Sequence, residues 1–154
     1  MLLASTRGQL ATAYAAIANG GILRPPRIVK AIGRRPTPVP RGRRVISERV
    51  SAQLRNMLEG VLGPGGTASG AAIPGYVLAG KTGTANKIDP TTGEYSDSRY
   101  VASFIGFAPA LHPKLLIEVM VDEPQTEIYG GVVAAPAFGK IASFALTYLR
   151  IPQG

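Results

Sequence analysis

The tightest constraint in this chain is a strand-like run that passes at once into glycines, hydroxyls and a cation. Tyr76-Val77-Leu78 leads into Ala79-Gly80-Lys81-Thr82-Gly83-Thr84-Ala85, and polar Asn86-Lys87 follows. An apolar run with this exit predicts a β-strand that presents something along its edge. Lys81, Thr82 and Thr84 supply the cation and hydroxyl donors that a carboxylate-ended ligand needs. An extended ligand laid along a strand edge bonds it through the main chain. Glycine at position 83 removes a side chain that would obstruct such an approach. Taken alone, Lys-Thr-Gly also fits an ordinary strand ending in a polar turn, so the surrounding chain has to decide.

The flanking sequence divides cleanly. Thr6 and Gln9 have capping-box spacing and open a helix running to Asn19. Leu10, Ala13, Tyr14 and Ile17 recur on one face of it, and Gly20-Gly21 ends it. Residues 27–32 read as a short extended piece. Ser47 caps a second helix reaching Leu62, with Val50, Leu54, Met57, Leu58 and Val61 on its apolar face. Thr67 caps one further turn through Ala72, and Pro74-Gly75 turns the chain into the Lys81 strand. A turn-rich loop, Asp89 to Glu94, precedes a second strand from Arg99 to Ala108. A third strand runs from Lys114 to Asp122, where Leu115, Ile117, Val119 and Val121 alternate with the opposite face. The last helix spans Gly131 to Leu149, with Phe138, Ile141, Ala142, Ala145 and Leu149 on one side and Pro136 in its first turns. The result is an α+β fold: one antiparallel sheet flanked by helices.

At 154 residues the chain is long enough for one domain with a real core. Cysteine is absent, which excludes disulfides and thiolate chemistry, and His112 is the sole histidine, which argues against a structural metal site. His112 sits between Leu111 and Pro113 as a surface turn residue. The most apolar stretch, Val101 to Val121, is interrupted by prolines, His112 and Lys114 and does not read as a membrane span. The net charge of +8 is concentrated. Between Arg24 and Arg49 lie nine arginines and lysines against Glu48 alone, and the rest of the chain balances. With five prolines, that segment reads as an extended, solvated connection. Its functional readings are nucleic acid, anionic lipid headgroups or an anionic wall polymer.

Five blocks, in order, carry a resemblance to a known family. They are Thr6 to Ala11 with Ala13-Tyr14-Ala15 and Asn19-Gly20-Gly21; Gly66-Thr67-Ala68; Ala79 to Ala85; Ser103 to Pro109; and Tyr129 to Phe138. The chain resembles the C-terminal half of the transpeptidase domain of class B penicillin-binding proteins, most of all the division-specific type. The resemblance implies a partial penicillin-binding/β-lactamase-like transpeptidase fold, with residues 1–154 forming the C-terminal part of that domain. It implies a peptidoglycan D,D-transpeptidase that crosslinks stem peptides by serine acyl transfer and binds β-lactams when complete.

The family uses three motifs: S-x-x-K, S-x-N and K-T-G. Only the third is present. Ser5, Ser47, Ser51, Ser69, Ser96, Ser98, Ser103 and Ser143 all lack a lysine three positions on. Ser96-Asp97-Ser98 follows Lys81 instead of preceding it and reads as loop. The resemblance gives Lys81 a catalytic part in proton transfer and carboxylate binding, and it makes Lys81, Thr82, Gly83 and Thr84 the substrate-binding set. The Thr84 backbone N–H is then one oxyanion donor. Without a nucleophile, the chain is expected to be inactive by itself. Met1 reads as an internal methionine or the start of a truncated gene. No cofactor and no metal are implied. The expected partners are the stem peptide, β-lactams and proteins of the division machinery; nucleic acid is not expected. Membrane attachment is expected only through an N-terminal anchor missing here, with the whole protein on the extracytoplasmic side. Two other readings are a non-catalytic peptidoglycan- or division-protein-binding module and, on the basic segment alone, a nucleic-acid-binding protein.

Overall fold

The computed structural model describes residues 6–153. The chain divides into two compact units, residues 1–54 and 55–154.

The first unit opens with α1 (Arg7–Ala18). Its capping box forms as the sequence predicts: the Thr6 amide donates to Gln9 Oε1 at 2.8 Å, and the Gln9 amide donates to Thr6 Oγ1 at 3.2 Å. The expected apolar face is not the buried one. Ala16 and Ala18 are buried, Ala13 is exposed, and Tyr14 and Ile17 are half-buried. Burial pushes the Tyr14 phenol above its ordinary range. Four two-residue strands follow: β1 (Ile22–Leu23), β2 (Ala31–Ile32), β3 (Arg35–Pro36) and β4 (Arg43–Arg44). They pair as β1 with β4 and β2 with β3. The extended segment therefore folds back into hairpins, which its prolines had concealed.

The helix α2 (Glu48–Glu59) is capped by Ser47, whose hydroxyl accepts from the Val50 amide at 3.2 Å. Here too the expected face is corrected. Val50 and Met57 are exposed, and the fully buried residue is Ser51, whose hydroxyl donates to the Ile17 carbonyl at 2.6 Å. A hydrogen bond to a backbone carbonyl satisfies a small polar residue inside, which a purely apolar periodicity cannot anticipate.

The second unit is built on a three-stranded antiparallel meander of β5 (Ala79–Ile88), β6 (Tyr95–Ala108) and β7 (Leu115–Asp122), in that order. The register sets Lys81 opposite Ile105 and Gly83 opposite Ser103. An irregularity between Asn86 and Ile88 admits Tyr95 and lengthens β6 beyond the expected start. Ser96-Asp97-Ser98 thus lies in a strand, not in the loop the sequence pointed to. The Ser96 hydroxyl is buried and accepts from the Arg99 amide at 3.1 Å, which holds the irregular stretch together. At the same end, Lys87 Nζ lies 2.6 Å from Glu123 Oε1 and 2.9 Å from Asp122 Oδ1. The Glu123 and Asp122 carboxylates hold the Lys87 ammonium above its ordinary pKa.

A 3₁₀ turn (Ser69–Ala71) precedes the sheet, and α3 (Gly130–Val133) and α4 (Ala135–Tyr148) close the unit. The single helix expected at the end is thus two segments that meet at Ala134. Gly130–Tyr148 has the length and composition of a membrane span, with 19 residues and mean hydropathy 1.3. Ala135, Phe138, Ala142 and Leu146 of this stretch nevertheless pack into the sheet's core. Ile141 and Leu149, expected inside, are exposed. Phe104 of β6 meets Phe138 of α4 with ring centroids 4.6 Å apart, a tilted pairing favourable for aromatic quadrupoles. Leu115, Ile117, Val119 and Val121 lie against this core, as their alternation predicts.

Among the described residues, β7 pairs only with β6, so its second edge is open. An open edge on an eight-residue strand is a template for intermolecular pairing. The chain is expected to self-associate with rising concentration in sedimentation velocity runs, and Met120→Lys is expected to reduce this. A monomer that unfolds cooperatively at high concentration would contradict it.

Candidate active site on the Lys81 strand

The free edge of β5 gathers donors from three parts of the second unit. Lys81 is exposed, and its ammonium donates to the Thr82 carbonyl at 2.9 Å and approaches Thr82 Oγ1 at 3.4 Å. Thr82 Oγ1 lies 3.3 Å from Thr67 Oγ1. Two strand positions on, Thr84 Oγ1 accepts from the Gly130 amide at 3.3 Å. A hydroxyl that accepts a bond on its oxygen keeps its proton for another partner. The site therefore offers one cation and a row of hydroxyl donors. That polarity suits an anion, and a carboxylate in particular.

The backbone packing that holds this row is close. A Cβ on Gly130 would collide with the carbonyls of Ser103 and Gly83. A Cβ on Gly131 would collide with the Thr67 carbonyl and reach the Thr82 methyl at 3.4 Å. The start of α3 thus sits directly on β5 and β6, near enough for the Gly130 amide to reach Thr84. Gly83 behaves similarly: a Cβ there would run into the Ser103 hydroxyl of the paired strand. The expected reason for this glycine was clearance for a ligand. The fold adds a second, clearance for Ser103.

The structure brings Lys81, Thr82, Gly83 and Thr84 together on one strand, as expected. His112 is apart from them, exposed in the turn between β6 and β7. Sequence reasoning missed two contributors. Thr67 is expected as a helix cap, yet the 3₁₀ turn after it has no side-chain cap and the Thr67 hydroxyl faces Thr82. Gly131 is expected at the start of the last helix and Gly130 just before it, neither as a site residue. The signal for both lay in the small-residue runs Gly65-Gly66-Thr67 and Tyr129-Gly130-Gly131, since neighbouring glycines mark close backbone approach.

The family model for the penicillin-binding protein transpeptidase domain matches residues 3–143. This chain belongs to that family. It is 41% identical over 144 residues to a probable peptidoglycan D,D-transpeptidase, PenA, of Neisseria gonorrhoeae, a match covering 93% of this chain and 24% of that protein. It is 42% identical over 144 residues to the peptidoglycan D,D-transpeptidase FtsI of Escherichia coli K12, with 93% and 23% covered. The fold matches crystalline penicillin-binding protein 3 of Mycobacterium tuberculosis in complex with aztreonam at TM-score 0.84 and 36% identity, over 95% of this chain and 36% of that one. The apo transpeptidase domain of Burkholderia pseudomallei penicillin-binding protein 3 matches at TM-score 0.79 and 43% identity, over 95% and 43%. The chain spans about a quarter of the length of the curated relatives it matches.

The close seating of Gly130 gives a stability test within the chain itself. Gly130→Ala is expected to destabilise the second unit by about 1–3 kcal/mol in denaturant unfolding, the cost of forcing an extra carbon into packed backbone. Gly8→Ala serves as the control: a Cβ there meets nothing within 4 Å, and alanine in a helix is favoured by about 1 kcal/mol over glycine. Equal stability of the Gly130 variant and the parent would show that α3 does not sit on β5 as described.

Proposed function

We propose that this chain is the C-terminal part of a peptidoglycan D,D-transpeptidase domain and supplies its substrate-binding strand. The observation that carries this is the donor row on the free edge of β5, Lys81 with the hydroxyls of Thr67, Thr82 and Thr84, in a chain of this family. In the complete protein the terminal carboxylate of a stem peptide lies against Thr82 and Thr84. The donor peptide's main chain adds to β5 as an extra strand. Lys81 belongs to the proton-transfer network, and the Thr84 N–H donates to the developing oxyanion. The acyl group is carried by a serine in an S-x-x-K motif, which this sequence does not contain.

β-Lactams enter by the same chemistry. The solved relatives include complexes of a penicillin-binding protein with aztreonam and with ampicillin, and binding of such compounds by the complete form of this protein is part of the proposal. The substrate is a wall polymer, so the complete protein works on the extracytoplasmic side of the membrane. Proteins of the division machinery are its partners. With the nucleophile elsewhere, the 154-residue chain alone performs no acyl transfer.

A fluorescent penicillin separates these steps. The 154-residue chain should form no covalent adduct. A longer gene product that includes upstream S-x-x-K and S-x-N should be labelled stably enough to survive denaturing electrophoresis. In that longer protein, Lys81→Ala should abolish or nearly abolish labelling. Thr82→Val should weaken it by about 1.5–3 kcal/mol, the worth of one hydrogen bond to a charged group. Labelling of the short chain would misplace the nucleophile. A folded longer protein that does not label would favour the non-catalytic binding module.

A further inference from the structure

We propose that residues 24–49 of the first unit form a peripheral docking element for an anionic lipid surface. Three observations carry this. The segment holds nine cations against one acid, and among the described residues the ion pair of Arg44 with Glu48, at 3.6 Å, is the only one they make. Its backbone is nonetheless ordered by its own bonds. The Thr37 amide donates to the Lys30 carbonyl at 3.0 Å, and Arg27 Nη1 donates to the Thr37 carbonyl at 2.9 Å. The β2–β3 hairpin turns at Gly33, whose φ of +58° suits a tight reversal, and so presents Arg34 at its tip and Arg35 beside it at the start of β3.

The third observation chooses between ligands. Aliphatic side chains stand in the open among the cations: Ile28 is 96% exposed, Ile32 73% and Val39 67%. A water-soluble polyanion gains nothing from these side chains. A bilayer interface takes both kinds, cations at the headgroups and aliphatic groups at the acyl boundary. The segment has no aromatic residue, so it lacks the stacking platform that single-stranded nucleic acid uses.

The test is cosedimentation of the full 154-residue chain with vesicles at near-physiological salt. Phosphatidylcholine vesicles are compared with phosphatidylcholine vesicles containing a quarter phosphatidylglycerol. The chain should partition onto the anionic vesicles and not onto the neutral ones. Arg34→Glu with Arg35→Glu should lower partitioning by at least about tenfold. Ile28→Ser with Ile32→Ser should also lower it. All four side chains are exposed, so both variants should keep the parent's far-UV circular dichroism. Equal binding to neutral and anionic vesicles, or no binding, overturns the proposal. So does full binding by the Ile28/Ile32 variant, and displacement of that binding by polyphosphate would reassign the segment to soluble polyanions.

Discussion

The site depends on one close backbone contact, the seating of Gly130 and Gly131 on β5 and β6. The Gly130 amide reaches Thr84 only because no side chain stands between α3 and the carbonyls of Gly83 and Ser103. The same approach brings Gly131 against Thr67 and Thr82. Three separated pieces of sequence, Gly66-Thr67, Lys81 to Thr84 and Tyr129 to Gly131, are thereby fixed to each other. Their hydroxyls and cation line one strand edge. Preorganised donors of this kind cost little to reorient when an anion arrives.

The rest of the second unit keeps that edge in place. The Phe104–Phe138 pair ties β6 to α4 beneath the site, and the alternation of β7 closes the core from the far strand. At the distal end, Lys87 pairs with Asp122 and Glu123 beside the irregularity at Asn86. The sheet thus has one edge lined with donors and another, on β7, that is merely open.

Much of this was legible in the sequence. The Lys81 strand, the meander and the capping box of α1 follow from local chemistry, because turn residues, alternation and side-chain caps act over a few positions. Residues that form the site by long-range approach were not legible. For Thr67 the only local mark is the pair of glycines before it, which signals close approach without naming the partner, and that partner, Thr82, lies 15 positions away. Helix faces failed for a related reason. The α1 and α2 faces were read from apolar side chains, whereas the buried positions are Ala16, Ala18 and Ser51, small residues that allow close packing. Local order in the basic segment was hidden as well, since two-residue strands fall below the length at which alternation carries information.

The central claim is that among the described residues β5 is paired on one side only, with its other edge free to receive an extended ligand. Residue-by-residue amide hydrogen exchange across Ala79 to Asn86 tests this most directly. In an antiparallel edge strand, successive N–H groups point alternately to the neighbouring strand and away from it. The amides of this stretch are therefore expected to alternate between slow and fast exchange. Uniform protection along the strand would show that the edge is already covered, and uniform fast exchange would show that β5 is not held by β6; either result would contradict the account.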